Sequence, residues 1–268
     1  MLALLGYRFR VFALTHSADR IAGLRAAGAI PVHGDLDDPE SLFRIAGLAT
    51  RVVHMAPPPA TGRLDVRTRR LVAALGRVER MVYVSTSGVY GDCQGEEVAE
   101  TRRVAPATAR AARRVDAEQV LRNWARRSGA RLTILRVPGI YAKDRLPLAR
   151  IAAQTPALAA SEDVFTNHIH ADDLARIVVA AAMRGAPQRV IHAVDDSVIK
   201  MGEWFDLVAD AHALPRPPRI SREELATRVA PNLLSFMSES RRLSNARMKT
   251  ELGITLAYPT VADGLAGR

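Results

Sequence analysis

Two arginines, Arg110 and Arg114, stand four residues apart in the stretch ATARAARRVDAE. The stretch predicts the start of a long helix, and Ala117 and Leu121 continue the helix face on which the two arginines lie. We therefore expect Arg110 and Arg114 to face the sheet and its cleft rather than bulk water, and Arg113 to point elsewhere. A guanidinium in a cleft can clamp a phosphate or a carboxylate through two parallel hydrogen bonds.

Three hydroxyls form a second group with chemical potential, at Ser85, Thr86 and Ser87 in the stretch STSGVYG. They follow an apolar segment that predicts a strand, so they lie where that strand ends. A hydroxyl at this place can hydrogen-bond a substrate oxygen. The alternative is that the three side chains only satisfy backbone groups at the strand end.

The elements that must position these groups are short apolar segments that alternate with helical patterns. Strands are predicted in FRVFALT, AIPVHG, RVVHMA, RMVYVST and RLTILRV, with helices between them that include a long helix over residues 107–127. Because the strands read as continuous apolar runs, we expect them to be parallel and covered on both faces. The sequence therefore predicts an α/β fold, a Rossmann-like doubly wound parallel sheet with a small C-terminal lobe.

The same pattern predicts how the chain divides. Residues 1–160 are expected to form the Rossmann-like domain. Residues 161–268 are expected to contain a helix and a strand that return to the sheet, at about 163–195, and a small lobe on the substrate side.

Composition narrows the classes of function. The 268 residues carry a net charge of +10, which favours anionic partners, but the arginines are scattered and no nucleic-acid-binding motif is found. No apolar run approaches the ~20 residues of a membrane span, and the N-terminus is not a convincing signal peptide. The single cysteine, Cys93, cannot form an internal disulfide. We expect a cytoplasmic protein that binds neither nucleic acid nor membrane.

Ligands of an open parallel sheet bind at the carboxyl ends of its strands. The small, polar or hydrogen-bonding residues directly after the predicted strands are therefore binding candidates. They are Thr15, His16 and Ser17, then Asp35 and Leu36, then His54, Met55 and Ala56, then Thr86 and Ser87, and finally Pro138 and Gly139.

Four of these stretches recur in this order in a known family. GDLDDPESL, STSGVYG and LRVPGIY after strands, and HIHADDLA opening a helix, resemble the extended or atypical short-chain dehydrogenases, the NAD-dependent epimerase/dehydratase group. The resemblance covers about residues 10–185 and is closest to the short, YeeZ-like atypical members. It implies an NAD(P)-dependent oxidoreductase or epimerase that acts on a nucleotide-sugar or carbonyl substrate, and a possible homodimer through the long helices.

The resemblance also implies roles for particular residues. Thr86 takes the place of the family's active-site serine or threonine, whose hydroxyl holds a substrate oxygen. The dinucleotide would lie across the sheet, with the adenine against Asp35 and Leu36 and the nicotinamide against Pro138 and Gly139. Further cofactor contacts are expected at two other strand ends, from Ser85 and from His54, Met55 and Ala56.

The type of cofactor depends on the end of the first predicted strand. A carboxylate there would take the ribose hydroxyls of NAD, whereas this chain has Thr15, His16 and Ser17, followed by Arg20. These residues suit a 2′-phosphate and favour NADP over NAD. The alternative is that Ser17 caps the next helix and Arg20 is solvated.

The chain departs from the family pattern at its start. The opening strand and the glycine-rich phosphate-binding turn are not found, and MLALLG looks like the end of the helix that should follow them. The missing strand would be central, in the order 3-2-1-4, so two strand edges would be left unpaired. We expect the true start to lie roughly 20 or more residues upstream, the size of a strand–turn–helix opening. Without that segment, tight dinucleotide binding is in doubt.

The second departure concerns the family's proton-transfer pair. The family carries Tyr-x-x-x-Lys with a glutamate four residues later, and counting back from Glu118 puts Arg114 at the lysine and Arg110 at the tyrosine. Arginine has donors only and stays charged, so Arg110 cannot carry a proton as a tyrosine does. Arg114 can still hydrogen-bond a cofactor ribose. The alternative function is therefore a non-catalytic nucleotide or metabolite sensor, or a protein-binding module, of the same fold.

Other proton carriers stay open. Tyr90 or Tyr141 could enter the cleft, and His168 and His170 are either acid–base candidates or structural groups. No metal site is expected, because the two histidines alternate as on a strand and the aspartates after them are typical of a helix N-terminus.

Overall fold

Strands and helices alternate along most of the chain, as the pattern of apolar residues predicts. The computed structural model describes residues 1–6 and 8–267. The strands are β1 (Phe12–Thr15), β2 (Ile30–His33), β3 (Arg51–His54), β4 (Arg80–Thr86), β5 (Glu97–Val98), β6 (Arg131–Val137), β7 (Gly139–Tyr141), β8 (Ala157–Leu158), β9 (Phe165–Thr166), β10 (His168–His170), β11 (Arg189–His192), β12 (Ile199–Lys200), β13 (Arg219–Ile220) and β14 (Arg242–Leu243).

The α-helices are α1 (Leu2–Leu5), α2 (Arg20–Ala26), α3 (Val66–Ala74), α4 (Ala109–Ser128), α5 (Leu148–Ala152), α6 (Ala171–Arg184), α7 (Met201–Ala211), α8 (Arg222–Arg228), α9 (Pro231–Phe236), α10 (Ala246–Glu251) and α11 (Val261–Leu265). Two 3-10 helices cover Pro39–Ile45 and Ser87–Tyr90. Within the described residues, no helix combines the length and the apolar character that crossing a bilayer requires.

The parallel sheet is divided into two parts. Four parallel strands run in the order β11-β6-β4-β3, while β1 and β2 form a separate parallel pair. Across residues 1–6 and 8–267, no ladder joins β1 to β3. The division falls where the sequence predicts a missing central strand. The predicted α/β fold with a parallel sheet is confirmed.

Apolar side chains cover both faces of the four-stranded sheet, because alternate residues of a strand point to opposite sides. On β6, Leu132 and Ile134 belong to the same buried cluster as Leu121 of α4. Leu135 belongs to a second cluster with Ile177 of α6. Both faces are thus buried, which is why the strands read as continuous apolar runs.

Helix α4 has well-defined ends. Thr108 caps its start, where the threonine hydroxyl accepts from the Ala111 backbone N–H at 3.1 Å. Gly129 ends it in the left-handed conformation, at φ 73°. The predicted span of 107–127 is therefore shifted by one or two residues at each end.

A third buried cluster lies in the region where the sequence predicts a small lobe on the substrate side. Tyr141 and Ile151 pack there with Trp204, Phe205 and Val208 of α7. Residues from both sides of position 160 contribute to this core, and a domain boundary at 160 stays a prediction.

Candidate functional site

A cavity of about 320 Å³ lies at the carboxyl ends of β4 and β6. Thr86, Pro138 and Gly139 line its sheet side. Charged and aromatic side chains line the rest, among them Arg110, Arg150, His168, Trp204, Phe205, Phe236, Glu239 and Arg241. Open parallel sheets bind ligands at this edge, and the cavity is therefore the candidate site.

Thr86 stands at the last position of β4, and the 3-10 helix Ser87–Tyr90 begins after it. Its hydroxyl oxygen accepts from the Gly88 backbone N–H at 3.3 Å. The Thr86 O–H can still donate to a substrate oxygen, because a hydroxyl has one hydrogen and two acceptor sites. Gly91 ends the turn at φ 67°, and a Cβ there would lie 2.3 Å from the Ala105 carbonyl oxygen, so this position of the VYG stretch requires glycine.

Ser85 belongs to a buried polar network rather than to the cavity wall. Its hydroxyl donates to Glu118 at 2.7 Å, and Arg136 binds the same carboxylate through Nε at 3.1 Å and Nη2 at 2.7 Å. Arg136 also donates to the Tyr90 hydroxyl at 2.7 Å, and that hydroxyl lies 2.6 Å from His192 Nε2. The hydrogen of the Ser85 hydroxyl is thus donated to Glu118, and a cofactor contact by Ser85 stays a prediction.

The network fixes one protonation state of His192. Its Nδ1 lies 3.0 Å from the Ser244 carbonyl oxygen, which can only accept, so Nδ1 carries the hydrogen and Nε2 accepts from Tyr90. Burial lowers the pKa of His192 to about 3 and raises the pKa of Tyr90. Tyr90 is therefore held inside the network and does not line the cavity.

Arg110 and Arg114 occupy different environments on α4. Arg114 is half-buried, and its Nη1 donates to the Tyr83 hydroxyl at 3.0 Å and to the Val84 carbonyl oxygen at 3.1 Å. Arg110 lines the cavity with an exposed side chain, and its guanidinium lies 4.3 Å from the ring centroid of Phe236. The expectation that Arg110 is shielded from bulk water is therefore corrected.

Arg113 is the most buried of the three arginines, with 7% of its surface exposed. It donates to the Gly62 carbonyl oxygen at 2.7 Å and to the Ala60 carbonyl oxygen at 3.0 Å. The loop after β3 therefore contacts α4 near its start, an arrangement that helical periodicity does not reveal.

The predicted adenine side is held by a charged contact between the loop after β2 and helix α3. Arg67 donates to both carboxylate oxygens of Asp37, at 2.9 and 2.5 Å, and this hydrogen bond lowers the pKa of Asp37. Arg70 donates to the Leu36 and Asp37 carbonyl oxygens at 3.2 and 2.8 Å. Asp35 accepts from the Asp37 backbone N–H at 2.8 Å. Asp35 and Leu36 are half-buried in this loop.

The candidates after β3 differ in exposure. His54 is buried, and its Nε2 lies 2.9 Å from the Thr68 hydroxyl, which donates to Asp65. Burial lowers the pKa of His54 to about 3. Its side chain is thus used in packing against α3, whereas Met55 is exposed and Ala56 is half-buried.

The candidates after β1 form a short turn before α2. Thr15 is buried, and its hydroxyl accepts from the Ser17 backbone N–H at 3.2 Å. His16 and Arg20 are exposed. Helix α2 begins at Arg20 with Asp19 at its N-cap and no side-chain cap, so the alternative in which Ser17 caps this helix is wrong.

Of the two histidines on β10, His168 lines the cavity and His170 does not. His168 is 5% exposed, its ring centroid lies 4.4 Å from that of Trp204, and burial lowers its pKa to about 3. His170 begins α6, where its Nδ1 accepts from the Asp172 backbone N–H at 3.2 Å. In the described part of the chain, no group of three or more His, Cys, Asp or Glu side chains could hold a metal ion.

Several residues of the cavity and of the network beside it escape the sequence analysis. Arg136 of the network could have been found, because an arginine after the apolar residues of the strand RLTILRV needs a partner if it is buried. Arg150, Trp204 and Arg241 come from distant segments, and their local sequence carries no signal for a site.

Fold and site together define a member of a dinucleotide-dependent family. The family model described as NAD dependent epimerase/dehydratase matches residues 2–193, and the chain belongs to this family. The matched region runs from α1 to β11 and includes β4, α4 and β6.

Several solved structures are similar over nearly the whole chain. A functionally unknown conserved protein from Silicibacter pomeroyi is 27% identical, with a TM-score of 0.80 over 98% of this chain and 91% of that chain. UDP-glucuronic acid 4-epimerase from Bacillus cereus, in complex with NAD, is 16% identical, with a TM-score of 0.76 over 98% and 91%. A dTDP-glucose 4,6-dehydratase from Streptomyces venezuelae is 20% identical, with a TM-score of 0.74 over 96% and 85%. No functionally curated protein matches the chain.

Removing the charge of Glu118 should destabilise the fold far more than removing a surface charge. We expect Glu118→Gln to lower the free energy of unfolding by about 3–5 kcal/mol, because Arg136 is left buried without its counter-ion. The control is Glu96→Gln, which breaks the exposed pair with Arg102 and should cost about 1 kcal/mol or less. Urea unfolding measures both variants, and equal losses would contradict the importance of the buried pair.

Three buried histidines should make stability depend on pH. The folded-state pKa values of His54, His168 and His192 are about 3, against an ordinary value of 6.5, so the unfolded state binds more protons between these values. Their contribution to stability is fully present above pH 6.5. It is lost as the pH falls, by about 1.4 kcal/mol per pH unit for each histidine.

Buried carboxyls oppose this trend, because burial raises the pKa of Asp163 and, further, that of Asp195. Burial raises the pKa of Asp195 from 3.8 to about 7, so its contribution is present below pH 3.8 and is lost as the pH rises towards 7. Three histidines with strongly lowered pKa values outweigh one carboxyl with a strongly raised pKa. The free energy of unfolding should therefore rise between about pH 5 and pH 6.5. Asp195→Asn should steepen the rise and His54→Gln should flatten it. Urea unfolding across this range measures how the free energy of unfolding changes with pH. A wild-type free energy that falls as the pH rises would contradict the lowered pKa values of the three histidines.

Proposed function

We propose that the chain is an NAD(P)-dependent oxidoreductase of the epimerase/dehydratase kind that acts on a small-molecule substrate in the cavity. One observation carries this proposal: Thr86 at the end of β4 and Pro138 and Gly139 after β6 line the same cavity. These are the residues expected to meet the substrate oxygen and the nicotinamide.

The residues present fit the two ends of a dinucleotide. At the nicotinamide end, Pro138 and Gly139 line the cavity, and a Cβ at position 139 would press on the His168 ring at 3.2 Å. At the adenine end, Asp35 and Leu36 would contact the base. The residue types after β1, Thr15, His16 and Arg20, are the ground for preferring NADP over NAD. Bound NAD(P) would supply hydride transfer at the cavity. No glycine-rich phosphate turn occurs in the described residues, so the affinity for the dinucleotide is the first quantity to measure.

The chain's own residues would bind and orient the substrate. The Thr86 O–H would donate to a substrate hydroxyl or carbonyl oxygen. Arg110 would attract an anionic substrate group, and Arg114, which fastens α4 to the end of β4, would contact the cofactor ribose.

A second candidate function is a non-catalytic sensor of the same fold. The observation that favours a sensor is that no tyrosine of the described residues lines the cavity. Tyr83 hydrogen-bonds Arg114, and burial raises its pKa to about 12. Tyr141 is buried and donates to the Thr260 carbonyl oxygen at 3.3 Å. The family's usual proton carrier thus has no substitute among them.

The setting of the protein is part of the proposal. We infer a cytoplasmic location, supported by the single cysteine Cys93, which is buried and free. A homodimer through the long helices is the expected assembly, and neither nucleic acid nor membrane is an expected partner.

Dinucleotide binding should depend on Arg20 only when the 2′-phosphate is present. We expect Arg20→Ala to weaken NADPH by about 1.5–3 kcal/mol, the range for a charged hydrogen bond, and to leave NADH unchanged. Arg25→Ala, an exposed arginine of the same helix, is the matched control. Titration followed by nicotinamide fluorescence measures both cofactors. If the protein binds neither NADPH nor NADH, the proposed oxidoreductase is refuted. If Arg20→Ala weakens both cofactors equally, the preference for NADP is refuted.

Turnover should depend on the Thr86 hydroxyl. If the chain is an enzyme, Thr86→Ala should lower kcat by about 100-fold, the usual effect of removing one donor to a reacting oxygen. Dinucleotide affinity should stay the same. Net oxidation or reduction of the cofactor is monitored with carbonyl compounds, and redox-neutral turnover of nucleotide sugars is measured by product analysis. Dinucleotide binding without any turnover would favour the sensor, and turnover unaffected by Thr86→Ala would remove Thr86 from the mechanism.

A further inference from the structure

Buried polar atoms without partners concentrate around the cavity. Six buried side-chain nitrogen or oxygen atoms of the described residues lack a hydrogen bond, and three of the six belong to residues that line the cavity. They are Arg150 Nε, His168 Nδ1 and Arg241 Nε. An unpaired buried donor destabilises the fold, and native proteins keep few of them. Three of them at one cavity favour a ligand that completes their hydrogen bonds once the lining side chains turn towards it, because the atoms themselves are buried.

Arg150 is a cation without a counter-ion. Its Nη2 donates to the Pro156 carbonyl oxygen at 3.2 Å, and its guanidinium lies 4.2 Å from the ring centroid of Phe205. It forms no ion pair within the described residues. Burial lowers the pKa of Arg150 to about 10, so an anion in the cavity would stabilise its charged form.

The charge of the cavity wall is positive. Three guanidinium groups, of Arg110, Arg150 and Arg241, face one carboxylate, that of Glu239. Glu239 already pairs with Arg241 at 2.8 Å. The excess positive charge at the wall favours an anionic ligand.

His168 adds a neutral polar contact beside these cations. More than nine-tenths of its surface is buried, its Nδ1 has no partner, and its ring packs on Trp204. A neutral imidazole nitrogen can accept from a hydroxyl or, in the other tautomer, donate to a carbonyl oxygen.

We propose that the cavity binds a small anionic ligand whose carboxylate or phosphate contacts Arg150 and Arg241 and whose hydroxyl or carbonyl group contacts His168 Nδ1. This ligand would be the substrate of the proposed enzyme, so the proposal rests on that function. The cavity volume of about 320 Å³ lies at the small end of the range for ligand sites. A molecule the size of a sugar acid or a sugar phosphate therefore suits it better than a long nucleotide conjugate.

Tryptophan fluorescence tests the proposal directly, because Trp204 lines the cavity. The chain has two tryptophans, and Trp124→Phe leaves Trp204 as the only one. This variant is titrated without dinucleotide, using glucuronate, glucose 6-phosphate and inorganic phosphate, with glucose as the uncharged control. We expect at least one anion to change the Trp204 emission saturably and glucose to have no effect.

Charge removal at Arg150 should then weaken the bound anion. We expect Arg150→Gln to lower its affinity about tenfold or more and Arg150→Lys to lower it less, because lysine keeps the charge but not the fork of donors. The matched control is Arg145→Gln, which removes an exposed arginine outside the cavity and should change nothing. Circular dichroism melting checks the fold. If Arg150→Gln does not fold, His168→Gln on the same background takes its place, with the same expected weakening.

Each outcome bears on the proposal. Response to glucuronate alone assigns a carboxylate ligand, and response to a phosphate compound alone assigns a phosphate ligand. No response to any anion, glucose binding as tightly as glucuronate, or undiminished affinity in Arg150→Gln would overturn it. NADPH titration is a separate measurement. Anion binding without dinucleotide binding would refute the proposed enzyme and support the anion site. Dinucleotide binding without anion binding would refute the anion site alone.

Discussion

The buried ion pair between Glu118 and Arg136 is the interaction on which the candidate site depends. It joins α4 to β6, and through Ser85 and Tyr90 it reaches the end of β4 and the turn after it. Both charged side chains are only 5% exposed, so separating them would leave a charge buried without a partner. Helix α4 therefore cannot slide along the sheet without losing the whole network, and the positions of Arg110 and Arg114 follow from that register.

The same network decides which groups remain for chemistry. The Ser85 and Tyr90 hydroxyls are both engaged in it, and the only hydrogen on the His192 ring is given to a backbone carbonyl. Serine, tyrosine and histidine are residue types of catalytic sites, but here the hydrogens of their side-chain O–H and N–H groups are donated within the network. Among the groups that line the cavity, the Thr86 hydroxyl, the His168 ring and the guanidinium groups can bind and orient a ligand.

Strands and helix ends can be predicted from the local sequence, whereas contacts between distant segments cannot. Continuous apolar runs predict the buried strands, because a strand covered on both faces must be apolar throughout. Thr108 and Gly129 mark the ends of α4 through backbone chemistry that local sequence encodes. The burial of Arg113 depends on a loop more than 50 residues away, which no helical pattern contains.

The cavity shows the same limit more strongly. Arg150 and Arg241 reach it from segments about 90 residues apart in the chain. Their unpaired nitrogens become visible only when the fold brings both to one wall. The ends of β4 and β6 could be predicted as a site, because ligands of parallel sheets bind at the carboxyl ends of the strands. The charged wall formed by Arg150 and Arg241 could not be predicted in the same way.

The division of the sheet separates the two binding events that the site would combine. The cavity is built on the four-stranded sheet, whose two faces are buried and whose edge is fixed by the ion-pair network. The predicted adenine side is built on β1 and β2, which no ladder joins to the other strands of the described residues. Arg67 ties the loop after β2 to α3 through the partly exposed Asp37. Partly exposed ion pairs contribute little stability. The proposed ligand would therefore meet a cavity wall that the fold already holds in place. The predicted adenine side is held less firmly, and ordering it would lower the affinity for a dinucleotide.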